Sequence, residues 1–212
     1  MPLLKKWTDR GATWGIWQVT ESFDELADSF CDAGAWRAEM MALGSPVRRM
    51  ERTAVRVLLR ELTGSELTIS HHPSGKPYVE GASFLISVSH TKGYVAIGIH
   101  PTREPGIDIE QYGERVNRVA SRFMHPTELS ACEGADHSTR LYMLLLHWSA
   151  KETLYKIIGC EEVDFSEHLR IHAFRLQQSG TFAAEEYRTE HPQRFTVHYL
   201  THPDFVCTWA LK

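Results

Sequence analysis

The stretch Phe84-Leu-Ile-Ser-Val-Ser-His-Thr-Lys-Gly-Tyr-Val-Ala-Ile-Gly-Ile99 decides the fold class. Two apolar, β-branched runs, 84–89 and 94–99, flank His90-Thr-Lys-Gly93, a spacing that predicts antiparallel strands joined by a hairpin. Parallel strands would instead need a crossover of a dozen residues or more between them. Upstream, residues 67–70 predict a short strand, followed by the turn formers Pro73-Ser-Gly-Lys-Pro-Tyr78. Downstream, Gly106-Ile-Asp-Ile-Glu110 alternates, with Ile107 and Ile109 on one face and Asp108 and Glu110 on the other, the expected wet face. Alternation returns at 194–200 and 206–211.

Helical signals interrupt these strands. Over 47–60, Arg48, Arg52, Arg56 and Arg60 recur every fourth residue as a drifting ribbon. Val47, Met50, Ala54, Val57, Leu58 and Leu62 lie mostly on the other side, and Gly64 is placed to cap the helix. Residues 115–131 read as helix, with Arg115, Arg118 and Arg122 near one face, and 139–158 carries a dense apolar stripe without Gly or Pro. Short antiparallel strands mixed with helices make the chain α+β. Two prolines in His100-Pro-Thr-Arg-Glu-Pro105 suggest a joint near the midpoint, dividing it into halves at 1–102 and 103–212. Each half contains a glycine-led strand that leads into a helix, Gly15-Ile-Trp-Gln-Val and Gly106-Ile-Asp-Ile-Glu.

Composition sets limits on function. The 212 residues carry 23 basic and 27 acidic side chains, a net charge of −4, which disfavours a general nucleic-acid binder. The longest apolar run, 141–146, is far short of the ~20 residues of a membrane helix. Met1-Pro-Leu-Leu-Lys-Lys-Trp7 lacks the apolar run of a signal peptide, so the expected location is the cytoplasm. Cys31, Cys132, Cys160 and Cys207 are too scattered for a zinc or Cys-x-x-Cys motif, and His168 and His172 lack the Glu of His-Glu-x-x-His. Metal chemistry would therefore rest on carboxylates.

Asp108 and Glu110 stand about 6.6 Å apart along a strand, close enough to converge on one cation. In Trp148-Ser-Ala-Lys-Glu-Thr-Leu-Tyr-Lys156, residues Trp148, Glu152 and Lys156 share a helix face at i, i+4 and i+8, adding a third acid. Three acids suit Mg²⁺, a hard ion that takes oxygen ligands. The accompanying cations are Lys76, His90, Lys151, Lys156 and the arginine ribbon, an equipment suited to phosphate-ester transfer. Neither a Gly-x-x-x-x-Gly-Lys loop nor a kinase signature is present.

Four segments in order, Gly75-Lys-Pro-Tyr78, Ile86-Ser-Val-Ser-His-Thr91, Gly106-Ile-Asp-Ile-Glu110 and Trp148–Lys156, resemble the 4'-phosphopantetheinyl transferases of the class that activates surfactin synthetase. The spacing agrees as well, with 18 residues from His90 to Asp108 and 44 from Asp108 to Glu152. The resemblance implies a pseudodimer of two similar α+β half-domains with coenzyme A in the cleft between them. It implies transfer of the 4'-phosphopantetheine arm to a serine of an apo acyl or peptidyl carrier protein, with release of adenosine 3',5'-bisphosphate. It assigns Mg²⁺ to Asp108, Glu110 and Glu152, catalysis to Glu152, Asp108 and Lys156, and coenzyme A contacts to Lys76, Ser89, His90 and Lys156. Glu152 is also the candidate general base, directly or through water. An arginine near the start of the first long helix would take the 3'-phosphate, and Arg48, Arg49 and Arg52 compete for that role. Arg115, Arg118 and Arg122 could face an acidic carrier protein. With both halves in one chain, the expected state is a monomer. Other expectations for the same residues are a Mg²⁺-dependent phosphodiester hydrolase and a coenzyme A-binding protein without transfer.

Overall fold

The chain opens with an antiparallel hairpin, β1 (Leu3–Asp9) and β2 (Ala12–Gln18), turned by Arg10 and Gly11, both with positive φ. The structure is a computed structural model and describes residues 2–212. It divides into two compact units, Met1–Thr102 and Arg103–Lys212. Among the described residues, no helix is long and apolar enough to cross a membrane.

In the first unit, β2 leads into α1 (Phe23–Asp28), α2 (Ala33–Met41) and α3 (Pro46–Thr63). Local chemistry fixes the ends of α3. Ser45 accepts a bond from the Arg48 N–H, Pro46 occupies the first turn where its missing N–H costs nothing, and Gly64 ends the helix at φ 77°. A small hairpin follows, β3 (Ile69–His71) with β4 (Pro77–Val79), then β5 (Leu85–Thr91) and β6 (Tyr94–His100). The sheet order is β1-β2-β6-β5. The turn between β5 and β6 is tighter than the sequence suggested. Thr91 pairs with Tyr94 across Lys92 and Gly93, which puts His90 and Thr91 inside the strand. The core packs Ala54, Val57, Leu58 and Leu62 of α3 with Trp17, Ile86, Val95 and Ile97 of the sheet, whereas Val47, expected on the apolar side, is exposed.

The second unit begins with β7 (Pro105–Gln111). The single helix expected over 115–131 is three pieces, a 3-10 turn (Glu114–Arg118), α4 (Ala120–Phe123) and α5 (Pro126–Ala131). Met124 is extended ahead of His125 and Pro126, so Pro126 starts a new helix instead of continuing the old one. Then come α6 (His137–Ile158), α7 (Phe165–His168), β8 (Leu169–Ile171), β9 (Ser179–Glu186), β10 (Gln193–Thr201) and β11 (Phe205–Leu211). The sheet runs β7-β11-β10-β9-β8, every neighbour antiparallel.

The mixed α+β architecture is thus built twice on one plan. The last strand of each unit pairs beside an early one, β6 with β2 and β11 with β7, and the long helix α3 or α6 packs on that pair. A glycine permits the close approach in both. A Cβ on Gly15 would meet Leu62 Cδ2 at 2.8 Å, and one on Gly106 would meet the Thr153 carbonyl oxygen at 2.5 Å. The faint likeness between the two glycine-led segments therefore has a packing cause.

Candidate active site

Strand β7 is buried from Pro105 through Ile109, so Asp108 does not lie on a wet face, as its alternation suggested. Helix α6 covers it. Ser149 and Thr153, one turn apart on α6, reach the Thr208 hydroxyl of β11 at 2.9 and 2.7 Å. These small hydroxyls and Gly106 bring the helix close against the strand pair. Their signal in the sequence is two hydroxyl residues four apart, in the half of the helix that also carries Glu152 and Lys156.

That approach brings the acids and Lys156 together. Lys156 Nζ donates to Asp108 Oδ1 at 2.7 Å and to the Ile107 carbonyl at 3.0 Å, gripping the strand as well as the carboxylate. Trp148 Nε1 donates to Glu110 Oε1 at 2.7 Å, its ring packed against Phe123 and Phe165. Trp148 and Lys156 thus meet adjacent acids of β7, with Glu152 between them on the same face of α6. Burial, then the Asp108 charge, pushes Glu110 up to about 7; the Trp148 bond and Lys156 oppose this, and Glu152 adds to it. Burial and Asp108 likewise push Glu152 up to about 7 against the pull of Lys156. Three acids share this face with one nearby lysine.

Among the described residues, no three His, Cys, Asp or Glu side chains are gathered as a ready metal-ligand set. The donors nevertheless fit Mg²⁺. They are hard oxygens carrying surplus negative charge, and Mg²⁺ is commonly held by one or two carboxylates plus substrate phosphates instead of an all-protein cage.

Lys151, expected among the phosphate-facing cations, is elsewhere. It is fully buried, and its ammonium donates to Glu128 Oε2 at 2.7 Å and to the Phe123 and Phe165 carbonyls at 2.8 Å each. Burial pulls it below the ordinary lysine range against the attraction of Glu128. A lysine next to Glu152 in sequence points to another side of the helix, and only the fold supplies its partner. Glu128 escaped the sequence reading because its partner lies 23 residues away.

In the first unit, His90 is half exposed on β5, its Nδ1 3.4 Å from Glu51 Oε1 on α3. Glu51 is flanked along α3 by Arg48 and Arg52, so His90 lies beside the arginine-bearing turns. Arg48 and Arg52 are exposed. Arg49 is engaged locally, donating to the Leu43 carbonyl at 2.8 Å and touching Met41 Sδ. Farther along the ribbon, Arg56 stacks over Trp36 at 4.3 Å and Arg60 pairs with Glu66 at 3.4 Å. Ser89 is buried in β5, and Lys76 follows Gly75, whose φ of 83° makes the β3–β4 turn. Arg115, Arg118 and Arg122 are exposed on the short helices after β7. His168 Nδ1 accepts the Asp164 N–H, a structural use, and all four cysteines are free thiols.

Residues 104–210, half of the chain, match the family model described as the 4'-phosphopantetheinyl transferase superfamily. No curated protein matches the chain.

Proposed function

The chain belongs to the 4'-phosphopantetheinyl transferase superfamily, and from that premise we propose that it moves the 4'-phosphopantetheine arm of coenzyme A onto a serine hydroxyl of an apo acyl or peptidyl carrier protein. Adenosine 3',5'-bisphosphate leaves. We place it with the class that activates surfactin synthetase, working as a monomer in the cytoplasm. The observation that carries the reading is the joining of Asp108, Glu110, Glu152 and Lys156 across β7 and α6.

In the transfer, the serine oxygen forms a bond to the phosphorus bearing pantetheine, and the bridging bond of the pyrophosphate breaks. Asp108, Glu110 and Glu152 would hold Mg²⁺. When bound, the ion supplies Lewis-acid neutralisation of the pyrophosphate charge. Lys156 offers a fixed ammonium beside the same acids, its geometry set by the Ile107 carbonyl and Asp108. Trp148 holds Glu110 in place by its indole bond. We assign the serine proton to Glu152, directly or through a water molecule. Ser89, His90, Lys76 and one of Arg48, Arg49 and Arg52 would contact coenzyme A. The engagement of Arg49 with Leu43 favours Arg48 or Arg52 for the 3'-phosphate. Exposed Arg115, Arg118 and Arg122 give an acidic carrier protein a basic surface next to β7 in sequence.

The test is to incubate the protein with coenzyme A, Mg²⁺ and an apo carrier protein and to weigh the carrier. Addition of one phosphopantetheine is the expected result. Coenzyme A cleavage with an unmodified carrier would mean hydrolysis, and binding without turnover would mean a protein that has lost transfer.

A further inference from the structure

Helix α6 presents two parallel rows to the strand pair β7 and β11. Trp148, Glu152 and Lys156 form one row, and Ser149, Thr153 and Ile157, each the next residue in the chain, form the other. The second row seats the helix. A Cβ on Gly106 would meet the Thr153 carbonyl at 2.5 Å and Ile157 Cγ1 at 2.6 Å. Thr208 of β11 stands directly across from Asp108 in the strand pairing, so the two side chains share the face that α6 covers.

Ser149, Thr153 and Thr208 are fully buried, so their hydroxyls depend on one another for partners. One hydrogen per hydroxyl fixes the order of donation. Thr153 Oγ1 donates to the Thr208 carbonyl at 3.2 Å, which leaves Thr208 Oγ1 as the donor to Thr153 Oγ1 at 2.7 Å. Thr208 has then spent its hydrogen, so Ser149 Oγ donates to Thr208 Oγ1 at 2.9 Å. Apolar packing is non-directional and would let the helix slide along the strand. Three directed bonds converging on one strand residue fix its register instead.

We propose that Thr208 is a positioning residue for the acid-and-lysine face. By fixing Ser149 and Thr153, it sets where Trp148 meets Glu110 and where Lys156 meets Asp108. Its effect on turnover rests on the proposed transfer; its effect on geometry is read without it.

The Trp148 indole N–H, bonded to Glu110, reports that geometry through its exchange with solvent, followed by NMR and identified by its loss in Trp148→Phe. Thr208→Val keeps the shape and removes the hydroxyl. It should speed this exchange at least about tenfold and lower turnover at saturating coenzyme A and carrier by at least about tenfold. Thr208→Ser, which keeps the hydroxyl, should bring both to within about twofold of the unaltered protein. Phe182→Leu, in the same core but on β9, two strands from β11, lowers stability without touching these bonds and should leave the exchange unchanged. If thermal melting shows Thr208→Val to be unfolded, Ser149→Ala decides. It removes the first donor, leaves Thr208 bonded to Thr153, and should speed the exchange about threefold. The proposal is overturned if the folded variant exchanges as slowly as the unaltered protein, if Thr208→Ser does not restore slow exchange, or if Phe182→Leu speeds it equally. Exchange effects in a protein that transfers nothing would keep the role of Thr208 and refute the proposed function; transfer with unchanged exchange would do the reverse.

Discussion

Replacing Lys151 by Met should destabilise the second unit without touching the chemistry of transfer. The Lys151 ammonium has all three hydrogens engaged, with Glu128 and with two carbonyls, in a fully buried setting. Its loss leaves the Glu128 carboxylate buried beside only two N–H donors, those of Ile171 and His125, and strips the Phe123 and Phe165 carbonyls of a donor. Removing one partner of such a pair costs roughly 3–5 kcal/mol. Glu128→Leu should cost a similar amount, because it strands the ammonium. The double variant should fall short of the sum of the two by at least about 2 kcal/mol, since the charge that each single change strands is gone. Urea unfolding at 25 °C measures these values, and exchange of the Ile171 amide, 2.6 Å from Glu128 Oε1, reads the same node locally. A loss below about 1 kcal/mol, or additivity of the two changes, refutes the reasoning. So does transfer abolished in a Lys151→Met protein of undiminished stability, which would return Lys151 to the reacting phosphates.

Glu152→Gln and Asp108→Ala should each lower transfer by at least about a hundredfold in a folded protein. Glu152→Gln should also leave the thermal midpoint at pH 8 unchanged or raised, because it removes a charge that its surroundings resist; full activity in either variant would sink the carboxylate assignment. Glu110 and Glu152 have folded pKa values raised above 4.5, so the folded state binds more protons and stability falls as pH rises from about 4.5 to about 7, then levels off. The loss is up to roughly 3 kcal/mol for either group alone, and Mg²⁺ should restore more stability at pH 8 than at pH 5 in urea titrations. Gly106→Ala should cost more than Gly15→Ala, roughly 3 kcal/mol against 1, since its methyl meets the Thr153 backbone at 2.5 Å while the other meets movable leucine tips. Equal unfolding midpoints for the two would disprove that packing account.

The α+β class and the acid-and-lysine face were legible because both rest on short-range periodicity. Strand alternation at 107–110 and helical spacing of Trp148, Glu152 and Lys156 need no knowledge of distant residues, and the fold joins them through bonds of Trp148 to Glu110 and Lys156 to Asp108. Burial was not legible there. An Asp-x-Glu alternation looks the same on a wet strand and on one covered by a helix, and only the packing of α6 on β7 raises Glu110 and Glu152 to about 7. Pro126 is a break signal inside the helical pattern of 115–131, and in the structure it starts a new helix.

By itself, then, the sequence determines which side chains can share a face, because the pitch of a helix and the pleat of a strand are local properties of the backbone. Tertiary structure decides what each face meets. Lys151 and Glu152 are neighbours in the chain, yet one is locked into a buried ion pair with Glu128 and the other faces Asp108. Adjacent helical side chains point about 100° apart, and which neighbour each finds is fixed only when the sheets and helices close around them.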